Sequence, residues 1–209
     1  MGATASHILE NKEPPATMRR IVCTLPAAKV EDARLMIEEV AVPVPKSGEV
    51  LIKVAAAPVN PSDYGKMKKI LGPDEEWKPA PMGNEGSGVV VASGGGMMAD
   101  RLVGLSVGFV NLVKQGSWSE FVTASALTAV FPMPQALPVE SAASFYVNPY
   151  TAYAIVDTCR QRGGTGFVHT GASSQLGQML VKYCQAHATD MTLLNVVRRE
   201  QQVIGSDWL

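Results

Sequence analysis

Two short stretches carry residues whose types and spacing suit dinucleotide chemistry. The first reads Gly171-Ala172-Ser173-Ser174-Gln175-Leu176-Gly177. Small residues let a backbone approach a pyrophosphate, and the start of a helix offers N–H groups and partial positive charge to it. The spacing is G-x-x-S-x-x-G, with Ser174 where a glycine is usual. By itself it suits any ordinary strand-to-helix turn equally well. The second stretch reads Asn195-Val196-Val197-Arg198-Arg199. NAD-binding units place an acidic residue there to hold the ribose diol. A carboxylate would repel a 2′-phosphate, whereas two guanidinium groups can pair with one. The pair favours NADP(H), the plain alternative being a solvated basic pair on a loop.

Such residues act only where elements hold them. Residues 166–170 form a short apolar run that fits a buried parallel strand. Residues 175–186 read as a helix, with Leu176, Met179, Leu180, Tyr183 and Cys184 on one face. Residues 191–197 give a second strand, and strand, glycine turn, helix, strand is a βαβ unit. Further helices are expected at 139–146 and 151–160. The chain before them has another character. Strands are expected at 19–24, within 33–42, at 49–57 with Val50, Ile52 and Val54 on one face, after the glycine-rich approach 83–88, and at 102–110 and 117–124. A short helix is expected at 64–71. The expected organisation is an arm (1–17), a β-rich domain (18–138) and a nucleotide-binding α/β domain (139–209).

Composition narrows the function classes. Of 209 residues, 18% are charged and 46% hydrophobic, which excludes a disordered polyelectrolyte and allows a sizeable core. A formal net charge of −1 gives no electrostatic footprint for nucleic acid or an anionic membrane, so neither is expected as a partner. No apolar run reads as a spanning helix. Cys23, Cys159 and Cys184 are few and widely spaced, as buried reduced thiols are. The first residues carry neither a signal nor a transit pattern, which makes the cytoplasm the expected compartment.

Several segments in order resemble the medium-chain dehydrogenase/reductase superfamily. They are Ala57-Pro58-Val59-Asn60-Pro61-Ser62-Asp63, Gly83-Asn84-Glu85-Gly86-Ser87-Gly88-Val89-Val90, Gly116-Ser117-Trp118-Ser119-Glu120-Phe121 and Asn148-Pro149-Tyr150-Thr151-Ala152-Tyr153, completed by the two stretches above. The likeness is greatest to the quinone oxidoreductase and 2-enoyl thioester reductase branches. It implies a GroES-like β-rich domain followed by an incomplete Rossmann domain, a doubly wound parallel sheet cut short. The chain is then a fragment or a truncated product, with a shortened helix at 200–203, the approach to a third strand at 204–209, and apolar sheet surface left uncovered.

The resemblance also implies roles. Zinc-dependent relatives place Cys and His ligands where this chain has Asn60 and Asn84, poor zinc ligands, so no metal is expected. Asp63 and Glu85 then read as hydrogen-bonding residues at turns. Cofactor contacts are implied at Asn60, Asn148 and Thr151, at Ser173, Ser174, Gln175, Leu176 and Gly177, and at Arg198 and Arg199. Enoyl thioester reductases carry a proton-donating Tyr at the position matching Leu71, which cannot donate. Tyr64 is the catalytic candidate instead, with a packing aromatic as its plain alternative. The implied activity is NADPH-dependent hydride transfer to a small quinone or activated enone. The alternatives are an inactive fragment acting as a binding module and a 2-enoyl thioester reductase. A homodimer is implied only for a longer parent.

Overall fold

The computed structural model describes residues 13–72, 74–111 and 115–199. The expectations for 200–203 and 204–209, and for most of the arm, lie outside those residues. The chain divides into two compact units, Met1–Phe145 and Tyr146–Leu209.

The first unit is built on two antiparallel sheets. Strands β1 (Thr17–Leu25), β2 (Arg34–Ala41) and β4 (Ala80–Pro81) form one, in the order β2-β1-β4. The other has the order β7-β3-β5-β6-β8, from β3 (Glu49–Ala56), β5 (Glu85–Ser93), β6 (Ser106–Val110), β7 (Phe121–Ser125) and β8 (Val130–Pro132). The alternation in β3 explains its central place. Val50 and Ile52 enter the main core with Val90, Val107, Phe109 and Val122. Leu51 points the other way, into a cluster with Met18 and Phe121. Each such side chain, fully withdrawn from water, stabilises the fold by roughly 1.5–3 kcal/mol.

Several sequence expectations are corrected here. The strand expected at 102–110 begins at Ser106, because helix α1 (Met97–Leu102) precedes it, capping the core with Ala99 and Leu102. The helix expected at 64–71 is a 3-10 turn, Pro61–Lys66. The chain leaves it to pair with Ala27: Ala27 N–H donates to Met67 O (2.9 Å) and Lys69 N–H to Ala27 O (3.2 Å). The helix expected at 139–146 is also a short 3-10 turn, Ser141–Ser144. Residues 139–145, read from sequence as the start of the second domain, group with the first unit. The Ser87 hydroxyl donates to Val139 O, and the Phe145 ring packs 5.4 Å from Phe131.

The second unit contains α2 (Val147–Gln161), β9 (Gly166–His169), α3 (Gln175–His187) and β10 (Thr192–Asn195). Helix α2 starts earlier than the expected 151 because Pro149 lies in its first turn, where a missing N–H removes no hydrogen bond. Strands β9 and β10 are parallel with α3 between them, a Rossmann βαβ unit. The α3 face read from sequence is the packed one. Leu180 and Cys184, with Leu176 and Tyr183, meet Ala152 and Val156 of α2 and Phe167 of β9. Val168 and Leu194 point the other way and are exposed, as is Val196 beyond β10.

Candidate functional site

In the first unit, the turn after β3 and the start of β5 interlock through four buried polar side chains. Asn60, Asp63, Asn84 and Glu85 are all largely withdrawn from solvent. Pro61 sets the turn's first dihedral, and the Asp63 carboxylate accepts from the Asn60 backbone N–H at 2.7 Å. Its other oxygen accepts from the Asn84 amide at 2.7 Å, and the Asn60 amide donates to Glu85 Oε1 at 2.8 Å. Lys66 closes the turn by donating to Pro81 O at 3.1 Å. Gly83, at φ 86°, lets the strand approach Trp118. A Cβ there would lie 2.5 Å from the indole.

Burial pushes the Asp63 carboxyl above the usual aspartate range, opposed by the Asn60 N–H and by nearby Lys66. Burial lowers the Lys66 ammonium, opposed by Asp63. Asp63 and Glu85 thus serve as the hydrogen-bonding turn residues that sequence led us to expect. The expected cofactor residue Asn60 is buried, with its amide engaged by Glu85. Tyr64 rises from the same turn and is 39% exposed, the one candidate of this unit open to solvent. Leu71 is half-buried.

In the second unit, the register of β9 with β10 pairs His169 with Asn195, and Val196 N–H donates to His169 O at 2.8 Å. The carboxyl ends of both strands therefore share one edge of the sheet. The turn holding Ser173, Ser174, Gln175, Leu176 and Gly177 opens on that edge, and so do exposed Arg198 and Arg199. Ligands of open α/β sheets bind at such an edge. Ser174 proves to be the N-cap of α3. Its hydroxyl accepts from Gly177 N–H at 3.0 Å and donates to Gly171 O at 2.7 Å. That leaves the first two helical amides, of Gln175 and Leu176, without intrahelical partners. Gly177 is buried against Ala172 O, where a Cβ has no room, so packing explains this glycine.

Asn148 lies half-buried in the first turn of α2, one turn before Thr151. The Thr151 hydroxyl donates to Val147 O at 2.6 Å. Thr151 also lines a groove of about 610 Å³ with Tyr146, Val147, Tyr150, Ala154, Ile155 and Thr158. The sequence reading missed this groove. Its signal was the aromatic spacing Tyr146 to Tyr150, whose rings lie 4.6 Å apart. All three cysteines are free thiols, and burial raises the pKa of Cys23 and Cys184.

Comparison with known proteins fits this arrangement. Residues 46–135 match the alcohol dehydrogenase GroES-like domain, the segment that holds β3 to β8 and the buried network. The human mitochondrial enoyl-[acyl-carrier-protein] reductase is 31% identical over 205 residues, covering 94% of this chain and 51% of that protein. The chain belongs to the medium-chain dehydrogenase/reductase superfamily.

Solved members of the superfamily carry the likeness through both units. A Mesorhizobium loti protein provisionally named NADPH:quinone reductase superposes with a TM-score of 0.73 at 32% identity, covering 92% of this chain and 58% of that one. The quinone oxidoreductase of Thermus thermophilus, solved also in complex with NADPH, gives 0.65 at 25% identity over 91% of this chain and 58% of its own. The chain spans about half the length of the curated relatives it matches.

Proposed function

We propose that this superfamily member is an NADPH-dependent, zinc-independent oxidoreductase acting on a small quinone or activated enone. What supports the cofactor reading is that β9 and β10 run parallel and end on one side, β9 leading into the turn capped by Ser174 and β10 leading into exposed Arg198 and Arg199. The NADPH-bound quinone oxidoreductase among its structural neighbours supports the same reading. The residues present fit a dinucleotide. Gln175 and Leu176 have amides to offer a pyrophosphate, Arg198 and Arg199 have charge for a 2′-phosphate, and Asn148 and Thr151 are assigned to the nicotinamide end. Bound NADPH would supply the hydride. The chain's own part is to bind and orient, and on this reading Tyr64 Oη holds the proton.

The zinc-independent reading rests on the buried network. The Asn60 and Asn84 amides donate to carboxylates, an arrangement that does not fit a zinc ion. Among the described residues, no group of three or more His, Cys, Asp or Glu side chains is placed to hold a metal.

Enoyl thioester reduction is the second reading, favoured by relatives named mitochondrial enoyl-[acyl-carrier-protein] reductase. Leu71 argues against it, having no proton to give. The compartment follows the same fork, the cytoplasm with the first reading and the mitochondrion with the second. No helix among the described residues is long and apolar enough to cross a membrane.

NADPH oxidation by the purified chain, with 1,4-benzoquinone and a crotonyl thioester offered side by side, tests the assignment. Faster turnover of the quinone is expected. Faster turnover of the thioester reverses the order of the two readings. NADPH binding without turnover of either leaves a binding module. Tyr64→Phe separates a proton-holding role from packing. It should lower kcat about 100-fold, the lower end of what general acid catalysis contributes, and leave the Kd for NADPH unchanged. Unchanged turnover would make Tyr64 a packing residue.

A further inference from the structure

Strand β2 closes one side of the three-stranded sheet, and its outer edge pairs with no strand among the described residues. The direction of its backbone groups is fixed at several points. Val42 N–H donates to Ala16 O at 3.1 Å, and the Thr24 hydroxyl donates to Arg34 O, so even-numbered positions face β1. Ile21, which lies opposite Ile37, donates instead to Trp118 O and accepts from Met82 N–H on its far side. In an antiparallel ladder these directions alternate residue by residue. Leu35, Ile37 and Glu39 therefore present their N–H and C=O groups to the open edge.

The side chains of this edge are unusually apolar. Leu35, Met36 and Ile37 are 41%, 57% and 66% exposed. Neither proline nor lysine guards the strand, the usual protection of a free edge. Charges stand at its flanks. Arg34 makes no salt bridge among the described residues, while Glu38 is held by Arg20 at 2.6 Å.

We propose that β2 is a self-association edge, on which a second copy of this chain pairs antiparallel about Met36. In that register Leu35 lies opposite the second copy's Ile37 in a hydrogen-bonded pair, and the converse pair forms across the two-fold axis. Met36 meets its own counterpart on the opposite face. Arg34 lies opposite the second copy's Glu38 at both ends, so like meets like in the centre and charges of opposite sign meet at the flanks. Of the two neighbouring registers of the same parity, the one centred on Ile37 sets Leu35 against Glu39 and Met36 against Glu38, and the one centred on Leu35 sets Met36 against Arg34 and Glu38 against Asp32. Charge complementarity therefore selects the Met36 register. The contact is isologous, as a two-fold dimer requires.

Met36→Cys in the full chain tests the register. A non-hydrogen-bonded antiparallel pair brings Cα atoms to about 4.5 Å, within disulfide range. Under copper–phenanthroline oxidation, Met36→Cys should give a disulfide-linked dimer, while wild type and the off-register edge variant Glu39→Cys stay unlinked. Equal linking of Met36→Cys and Glu39→Cys, or of neither, overturns the proposal. Ile37→Pro gives an independent reading, because it removes an N–H that faces only the second copy. Sedimentation velocity across a dilution series should shift from dimer in wild type to monomer in this variant, with strand circular dichroism retained. A wild type that is monomeric throughout, or association untouched by Ile37→Pro, would likewise overturn it.

Discussion

Replacing Arg198 and Arg199 together by alanine is expected to weaken NADPH binding by roughly 100-fold or more and to leave NADH binding nearly unchanged. The two cofactors differ by one phosphate, so the difference isolates what the guanidinium groups hold. Hydrogen bonds to charged groups contribute about 1.5–3 kcal/mol each, and every 1.4 kcal/mol is about tenfold in Kd. Both arginines lie exposed at the edge shared by β9 and β10. Salt therefore screens them, and wild-type affinity for NADPH should fall with ionic strength more steeply than that of the double variant. Calorimetry with both cofactors at two salt concentrations measures this. Equal losses for NADPH and NADH would assign the pair to general charge or to folding.

The second large effect is expected in the buried network. Asp63→Ala removes the acceptor of the buried Asn60 N–H and leaves the Asn84 amide only its long contact of 3.4 Å to the Ser62 hydroxyl. An unsatisfied buried polar group costs about 1–3 kcal/mol, so a loss of about 2–5 kcal/mol is expected in urea unfolding. A loss under about 0.5 kcal/mol, the ordinary size for a surface change, would show that the network does not hold the turn. Asp63→Asn adds a pH signature. Burial sets the folded pKa of Asp63 above its ordinary value, so folding takes up a proton there. The stability from this group is whole below the ordinary aspartate pKa and is lost as pH rises through the folded value. The asparagine does not titrate, so the variant should gain on wild type from acid toward neutral pH. A difference flat in pH would clear Asp63 of that role.

The amino-acid sequence alone determined that a β-rich part precedes a βαβ unit. Alternation in β3 and helical spacing in α3 are local patterns, and each names the face that packs. The turn from Gly171 to Gly177 and the arginines after β10 are contiguous stretches, so the cofactor proposal they support can be framed without coordinates. Local punctuation misled where a tertiary partner intervened. A helix is expected only from residue 151, but it starts at Val147, with Pro149 in a first turn that needs no N–H. Residues 67–69 read as helix, but Ala27 takes up their backbone groups.

Only tertiary structure decided which polar residues are buried and which are open. Asn60 and Asn84 stand far apart in sequence, and only the packing of the turn against β5 gives their amides to Glu85 and Asp63 and leaves Tyr64 facing solvent. Ser174 read as a departure from a glycine motif, and its geometry made it the cap of α3. The open edge of β2 was equally hidden, because sequence periodicity reports which side chains share a face. It does not report which backbone groups lack a neighbour: that follows from strand order and hydrogen-bond parity, which the folded sheet alone sets.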